Sequence, residues 1–215
     1  MSLVKIIELK DLNYFFKDNS YLSIVNRDTP KKANSFFKEF LTKPFSIQIQ
    51  VNKNSTLENI RDVLNKNISK NLINNSFYKT WIQDMANISK VYCHILNTDT
   101  ICLSLDTSRS CKRYHIDNVP VRLLVTYHGK GTEWIPSNAS DYSAYFDGKK
   151  NDKIIKDSSA IQFMKTWDIA IFKGNKFKGN EKGILHRTPD AALNSPSLLM
   201  RLDDSSFFSS EKLTN

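Results

Sequence analysis

The sequence predicts an α+β protein with helices concentrated in its first half and β-strands in its second half. All six glycines lie after residue 128, and glycine favours tight turns between strands and is scarce inside helices. Apolar residues recur at helical spacing between residues 30 and 85, whereas short apolar runs separated by turn residues dominate from residue 90 onward. These observations predict a β-sandwich or small barrel on which the helices pack.

Each element is predicted from its own pattern of apolar and polar residues. Residues 6–16 are amphipathic and fit a short helix or a strand. Helices with one apolar face are predicted over 30–41, 55–68 and 72–85. The second of them opens on a capping box, from Ser55 to Glu58. Strands with alternating or continuous apolar residues are predicted over 21–25, 45–51, 91–96, 101–105, 121–127, 159–164, 168–172, 184–186 and 198–202.

The chain is expected to form one structural domain with three parts. Residues 1–89 are the helical or mixed part that packs on the barrel, and residues 90–204 are the barrel with the functional site. Residues 205–215 are polar and are expected to be a flexible tail. Within the second part, residues 137–157 are rich in Ser, Asn, Asp and Lys, and we expect an exposed insertion near the mouth of the barrel.

Composition and charge narrow the class of protein. The net charge is +9, but the lysines are spread along the chain and do not alternate with aromatic residues, so we do not expect a nucleic-acid partner. No apolar run reaches the length of a membrane span, and the start of the chain does not read as a signal peptide. Three cysteines, an odd number, then indicate a reducing, cytoplasmic location without a disulfide framework.

The sharpest chemical pattern is His115-Ile116-Asp117, the single His-x-Asp of the sequence. An imidazole and a carboxylate so placed lack one ligand of a facial triad, and His186 can supply it if a barrel brings the late strand beside the early one. Three ligands on one side of an ion leave octahedral positions open for water, substrate or dioxygen. That arrangement suits Fe(II), and also Mn, Ni or Zn.

Cys111 leaves a second arrangement open. It precedes His115 by four residues and could complete a Cys-His-Asp-His zinc site. The alternative is a free thiol that packs as a small apolar residue.

Three stretches of the sequence, 111–136, 167–190 and 198–203, resemble the signature blocks of an uncharacterised bacterial family, catalogued as a domain of unknown function. Its members carry a Cys-x-x-x-His-x-Asp block, an R-L-L-x-T-Y-x-G-x-G-T-E-W block and a Gly-Asn…His-Arg-Ser/Thr-Pro block. The pattern is in turn similar to the double-stranded β-helix (cupin-like, jelly-roll-like) metal enzymes of the iron and 2-oxoglutarate oxygenase type. The resemblance implies that fold, with His115 and Asp117 as paired ligands, His186 as the distal ligand, and a link to zinc limitation and metal homeostasis.

Oxygenases of that type hold the acid cosubstrate with a basic residue that follows the distal histidine. The candidates here are Arg187, Arg201 and Arg122. Arg187 directly follows a ligand, so in a regular strand it would point away from the metal. Arg201 lies further along the chain than is usual. We therefore expect Arg201 and Arg122 to take part in catalysis, and Arg187 and Arg201 to be candidates for binding the acid.

Three further residues are candidates for the same pocket. Glu133 follows a Gly-x-Gly-Thr turn beside a large aromatic residue, and we expect it to border the pocket and take part in catalysis. The hydroxyl groups of Tyr127 and Thr132 could donate hydrogen bonds to a bound acid.

Two functional hypotheses from different classes result. The first is a mononuclear Fe(II) oxygenase-like enzyme that uses 2-oxoglutarate and acts on an unknown small-molecule or protein substrate. The second is a zinc-binding accessory protein of metal homeostasis without catalysis. A barrel that binds a protein partner and no metal is a third reading. Neither the substrate nor the oligomeric state follows from the sequence.

Overall fold

The computed structural model describes residues 4–17, 19–177 and 183–206, which form two β-sheets and a layer of helices. The strands are β1 Val4–Ile6, β2 Leu22–Val25, β3 Ser46–Asn52, β4 Thr100–Asp106, β5 Val121–His128, β6 Glu133–Ile135, β7 Gln162–Phe163, β8 Ile169–Lys173, β9 Leu185–Arg187 and β10 Leu198–Asp204. The helices are α1 Ala33–Phe40, α2 Thr56–Asn67, α3 Lys70–Asn74, α4 Ser76–Leu96, α5 Tyr142–Phe146, α6 Asn151–Ile154 and α7 Asp190–Leu193. Short 3₁₀ turns cover Leu9–Tyr14, Ser137–Ala139 and Ser158–Ala160.

The large sheet has seven strands in the order β1-β2-β8-β5-β10-β4-β3. All its neighbouring strands are antiparallel except the pair β1 and β2. Strands β2 and β3 of the first half are thus hydrogen-bonded to strands of the second half, β8 and β4. The two halves of the sequence therefore build one sheet together.

Side-chain alternation gives the large sheet two different faces. On β5, Leu123, Val125 and Tyr127 point into the main apolar core, whereas Arg122 and Leu124 point to the opposite face. Strand β10 repeats this pattern and places Arg201 on the same face as Arg122. The chain thus keeps apolar side chains on one face and polar groups among apolar ones on the other.

The helices cover the apolar face of the large sheet. Aromatic side chains from α1 and α4 fill the space between them, with Trp81 fully buried against Phe36, Phe37 and Phe40 at ring-centroid distances of 5.2–5.6 Å. Complete burial of one such large apolar side chain contributes about 1.5–3 kcal/mol. Helix α4 is capped by the Asn75 side chain, which accepts a hydrogen bond from the Phe77 backbone.

The small sheet has three strands in the order β7-β6-β9 and faces the polar side of the large sheet. A second apolar cluster joins them, with Trp134 and Ile184 from the small sheet's side and Leu124 and Phe172 from the large sheet. Among the strands that the structure describes, the two sheets stay separate. Of the sandwich or small barrel that the sequence predicts, the described strands form two sheets and no closed barrel, and the α+β class is confirmed.

The strand predicted over residues 91–96 is not formed. Residues 91–96 are helical, because they continue α4, where buried Ile88, Tyr92 and Ile95 lie on one helix face. A short apolar run cannot be assigned to strand or helix from its own residues. The predicted division at residue 90 consequently falls inside α4.

At Ser55, the predicted capping box makes no side-chain cap hydrogen bond, although α2 begins there as expected.

The segment 137–157 is largely exposed, as its composition predicts, but it also contributes buried side chains. Ala139 and Ile154 are buried and pack in a third apolar cluster with Tyr114, Ile116 and Leu185. The segment therefore covers the back of the His-x-Asp stretch. Of the polar tail, residues 207–215 lie outside the described residues. None of the described helices is long and apolar enough to cross a membrane.

Candidate metal centre

His115 and His186 are brought side by side by an isolated antiparallel bridge. The backbone N–H of each donates to the carbonyl of the other, at 3.0 Å in both directions. Directly opposed residues in such a pair present their side chains on the same face, and the two imidazole rings lie 4.4 Å apart. Strand β9 carries His186 and is held in the small sheet by β6.

Asp117 joins the two histidines because it lies two residues after His115, on the same face of the extended backbone. Its carboxylate is buried, at 4% exposure. Its backbone carbonyl accepts a hydrogen bond of 2.9 Å from Asn175, directly after β8. The three residues form the single group of metal-ligating side chains found among the described residues, with one ligand atom from each within 4.8 Å of the others.

Gly174 allows this close approach of the Asp117 backbone to the end of β8. A Cβ atom at residue 174 would lie 2.5 Å from the Asp117 carbonyl and 2.1 Å from the Val119 carbonyl. Both distances are far inside van der Waals contact with backbone atoms that cannot rotate away. We therefore predict that Gly174→Ala displaces the Asp117 segment.

The expected result for Gly174→Ala is a metal affinity lowered by roughly 10-fold or more, since misplacing a ligand costs at least as much as losing a supporting contact. Isothermal titration of the purified variant with Mn(II) measures it. Gly148→Ala is the matched control, because a Cβ there meets nothing within 4 Å; its positive φ of 73° adds backbone strain but lies away from the site. Unchanged affinity in Gly174→Ala would contradict the prediction.

Both imidazoles are oriented by backbone carbonyls. Nδ1 of His115 lies 3.0 Å from the carbonyl of Arg113, and Nδ1 of His186 lies 3.1 Å from the carbonyl of Ile184. A carbonyl can only accept, so each Nδ1 carries a proton, and in the neutral imidazole each Nε2 keeps a lone pair. These Nε2 atoms face the Asp117 carboxylate, at 3.6 Å from Oδ1 for His115 and 3.3 Å from Oδ2 for His186.

The donor set fits a metal ion. Asp117 Oδ2 accepts no hydrogen bond from any residue that the structure describes, although it is buried. Lone pairs that face one another in a buried space repel unless a proton or a cation lies between them. Metal–ligand bonds of about 2.0–2.2 Å at right angles place neighbouring ligand atoms about 3 Å apart. The 3.3 Å from His186 Nε2 to Asp117 Oδ2 is close to that spacing, and one ligand atom from each of the three residues lies within 4.8 Å of the others.

The local electrostatics keep the carboxylate charged. Burial raises the pKa of Asp117, but His186, His115 and Arg122 outweigh it and hold that pKa well below its usual range. Burial lowers the pKa of His115, and contact with the Asp117 carboxylate raises it by more. Asp117 therefore supplies the negative charge that a divalent cation requires.

Arg122 is a positioning residue for Asp117. Its Nη1 donates to Asp117 Oδ1 at 2.6 Å, and its Nε and Nη2 donate to the two oxygens of Asp203 at 2.8 and 2.9 Å. The sequence places Arg122 among the residues that could bind an acid. In the structure its guanidinium is occupied by two carboxylates of the chain, one of them a candidate ligand.

Arg201 lines the same pocket from β10. Its Nε lies 3.2 Å from Asp203 Oδ2, and its Nη2 donates to Ser104 Oγ at 3.4 Å. The pocket therefore contains Arg201, one of the three candidates for binding the acid, with an acidic neighbour on its own strand.

Arg187 and Glu133 form an ion pair with each other. Arg187 Nε donates to Glu133 Oε1 at 2.8 Å, and the guanidinium also pairs with Asp190 at 2.9 Å. Glu133 further accepts a hydrogen bond from the Tyr114 hydroxyl. Although strand alternation predicts that Arg187 points away from the triad, it lines the same pocket as His115, Asp117 and His186. The Glu133 carboxylate is thus held by two residues of the chain, and its expected catalytic role stays a prediction.

Tyr127 does not lie in this pocket. It is fully buried on the opposite face of β5, where its hydroxyl donates to Asp84 at 2.8 Å. Odd and even positions of a strand face opposite sides, and Tyr127 has the parity of Leu123 rather than that of Arg122. We therefore assign it no contact with a bound acid. Thr132 does line the pocket, where its Oγ1 accepts a hydrogen bond of 2.9 Å from Arg109.

Cys111 is exposed and borders the pocket, but it is absent from the group of ligand atoms that lie within 4.8 Å of one another. The closed Cys-His-Asp-His site is therefore not formed in the structure. The three candidate ligands all line the pocket, so an ion held by them would be reachable from it. An ion bound there could take a second molecule into its coordination sphere.

The pocket beside the triad is small and strongly basic. Its volume is about 80 Å³, and four arginines line it. Three of them were candidates from the sequence, and the fourth, Arg109, was missed. The signal that could have found it is its place shortly before His115, in a stretch with no acidic residue between Asp106 and Asp117.

Comparison with solved structures finds matches at very low identity. A rice dioxygenase for auxin oxidation has a TM-score of 0.49 and 6% identity over 94% of this chain and 82% of that one. The Arabidopsis thaliana auxin dioxygenase, solved with 2-oxoglutarate, has a TM-score of 0.44 and 8% identity over 94% and 92% of the chains. A putative oxygenase from Shewanella oneidensis has a TM-score of 0.44 and 9% identity over 99% and 98%. TM-scores below 0.5 support no inference about chemistry.

No curated protein matches the chain. A protein family does match it, over residues 8–203, and that family is described as a protein of unknown function, DUF1826. The matched span includes all three candidate ligands and the four pocket arginines. The resemblance of the sequence blocks to such a family is thereby confirmed, and the chain belongs to the DUF1826 family.

Proposed function

We propose that the chain is a mononuclear Fe(II)-dependent oxygenase-like enzyme, with 2-oxoglutarate as its acid cosubstrate and a double-stranded β-helix type of fold. The observation that carries the proposal is the triad itself. Two imidazoles with Nε2 lone pairs and one ionised carboxylate converge on one side of a point beside a basic pocket. That donor set is the facial triad of non-haem iron oxygenases.

The charges around the pocket support a dianionic ligand. Four cations line the pocket or touch it: Arg109, Arg122, Arg187 and Arg201. Four carboxylates lie among or beside them: Asp117, Asp203, Glu133 and Asp190. The four positive and four negative charges cancel, so a bound divalent metal ion would leave a net charge of +2 around the pocket. A dicarboxylate would neutralise them, and buried charge without compensation is costly.

The size of the pocket supports a small ligand. Pockets for drug-sized ligands are about 300–1,000 Å³, whereas this one is about 80 Å³. Leu124 and Leu199 line it together with the arginines. An apolar wall with cations beside it suits the carbon chain and the carboxylates of a small organic acid.

Several residues around the triad would support this function. Bound Fe(II) would supply the activation of dioxygen, with oxidation of the acid providing electrons. The carbonyls of Arg113 and Ile184 keep both histidines in the tautomer that binds metal. Arg122 holds Asp117 ionised and in place. The segment 137–157 packs behind the triad and excludes water from that side.

Iron content and turnover test the proposal together. Protein purified without chelating resin is analysed for metals, then incubated with Fe(II), oxygen and 2-oxoglutarate, without further substrate. Many enzymes of this chemistry consume the cosubstrate slowly on their own, so we expect iron-dependent formation of succinate. Stoichiometric zinc with no succinate under any condition would contradict the proposal and favour the zinc-binding accessory protein. The substrate is proposed to be another small molecule or a protein.

A further inference from the structure

Arg109 differs from the other arginines of the pocket in its partners. Its Nη1 donates to the Lys130 carbonyl at 2.6 Å, and its Nη2 donates to Thr132 Oγ1 at 2.9 Å. Its Nε is buried and has no hydrogen-bond partner among the described residues. Within the part of the chain that the structure describes, no carboxylate forms an ion pair with it. The guanidinium therefore has unused N–H donors and an uncompensated charge.

The other three arginines have carboxylate neighbours. Arg122 pairs with Asp117 and Asp203, and Arg201 lies 3.2 Å from the same Asp203. Arg187 pairs with Glu133 and Asp190. A ligand carboxylate that bound any of these three would compete with a carboxylate of the chain. At Arg109 it would meet no such competitor.

The surroundings of Arg109 form a prepared anion site. The Thr132 hydroxyl accepts from Arg109 with its oxygen, so its own hydrogen remains available to a ligand in the pocket that both residues line. The contacts with Lys130 and Thr132 fix the plane of the guanidinium, which reduces the entropy lost when a planar carboxylate binds. Burial without a carboxylate partner also lowers the pKa of Arg109 to about 10.

We infer that Arg109, assisted by Thr132, is the residue that holds the carboxylate of the organic acid in this pocket. The role for which the sequence offers Arg187, Arg201 and Arg122 as candidates thus passes to a residue upstream of the His-x-Asp motif. Arg201 and Arg122 instead hold the carboxylates of the chain in position. The inference rests on the proposed function in placing the acid beside a bound metal.

The test is the affinity of Mn(II)-loaded protein for 2-oxoglutarate, measured by isothermal titration without oxygen. Arg109→Gln should weaken binding by roughly 10- to 100-fold, the usual cost of losing charge-assisted hydrogen bonds. Arg109→Lys keeps the positive charge but lacks the planar guanidinium with its paired N–H donors, so it should give an intermediate affinity. Arg201→Gln is the matched comparison, and we expect a smaller loss than in Arg109→Gln. A larger loss in Arg201→Gln, or unchanged binding in Arg109→Gln, overturns the inference.

Two further measurements separate a binding role from a structural one. Arg109→Gln also removes the bond to Lys130, so the unfolding midpoint is measured with and without the acid. A merely structural residue would lower the midpoint and leave the acid-dependent rise intact, which would overturn the inference. Mn(II) affinity of the variant should equal that of the wild type.

Failure of the proposed function has a different signature, because the wild-type protein would then form no succinate, whether it holds zinc or no metal. In that case the acid titration is repeated on metal-free protein with 2-oxoglutarate and succinate. Binding that disappears in Arg109→Gln upholds the inference independently of the metal. Absence of binding to the wild-type protein, with and without metal, overturns it.

Discussion

Replacing His186 by alanine should remove metal binding. His186 contributes one of three ligand atoms, and its partner atoms on His115 and Asp117 cannot close the gap, because the backbone bridge and the Asn175 contact fix their positions. Loss of a supporting residue already costs about 10–100-fold in metal affinity, so loss of a ligand should cost more than about 100-fold. Anaerobic titration with Fe(II), or titration with Mn(II), measures this change.

The His186→Ala result has two matched controls. His94→Ala removes an exposed histidine on α4, remote from the candidate ligands, and should leave metal affinity unchanged. Cys111→Ser tests the closed zinc site, and because Cys111 is not in the ligand group we expect no change there either. Metal binding that survives His186→Ala, or that disappears in Cys111→Ser, would contradict the assignment of the triad.

Replacing Arg122 by methionine should produce the largest loss of stability among the pocket residues. Arg122 is bonded to Asp117 and Asp203, whose side chains are each only 3% exposed. Methionine has a similar apolar stem but leaves two buried carboxylates without their shared cation. Removal of one partner from a buried ion pair costs about 3–5 kcal/mol. Urea unfolding of metal-free protein measures the change in the free energy of unfolding.

The control for Arg122→Met is Arg61→Met. Arg61 lies 3.8 Å from Asp62, and both side chains are well exposed, so this change should cost less than about 1 kcal/mol. The double variant Arg122→Met with Asp203→Leu should recover part of the loss, because one buried charge is then removed together with its partner. A cost for Arg122→Met as small as that of Arg61→Met would show that the carboxylates do not depend on Arg122.

Much of the fold could be predicted from local patterns. The alternation in 45–51 and the apolar runs of 121–127 and 168–172 correspond to β3, β5 and β8, because strand periodicity depends only on which face is buried. The prediction failed at 91–96, where short-range pattern is ambiguous and the preceding helix decides the outcome. Strand order, with β2 and β3 at either side of the second-half strands, depends on long-range pairing that no local pattern specifies.

The candidate site was predicted in part for similar reasons. His115 and Asp117 share a face by spacing alone, whereas their meeting with His186 follows from the bridge between distant segments. Tyr127 was predicted in the site because its hydroxyl could bind an acid, but its position in β5 directs its side chain to the opposite face of the large sheet. Arg109 was missed because its importance lies in what it does not contact. Its place shortly before His115, in a stretch without acidic residues, points to it, but its lack of a carboxylate partner among the described residues shows only in the structure.

The most direct test of the triad is X-ray absorption spectroscopy of the Fe(II)-loaded protein. The account predicts nitrogen and oxygen scatterers at about 2.0–2.2 Å, with the outer-shell signal of two imidazoles and no sulfur. In His186→Ala the imidazole signal should fall or the metal should be lost. A sulfur scatterer at about 2.3 Å would place a cysteine in the site, and a spectrum without imidazole would place the metal elsewhere; either would contradict the account.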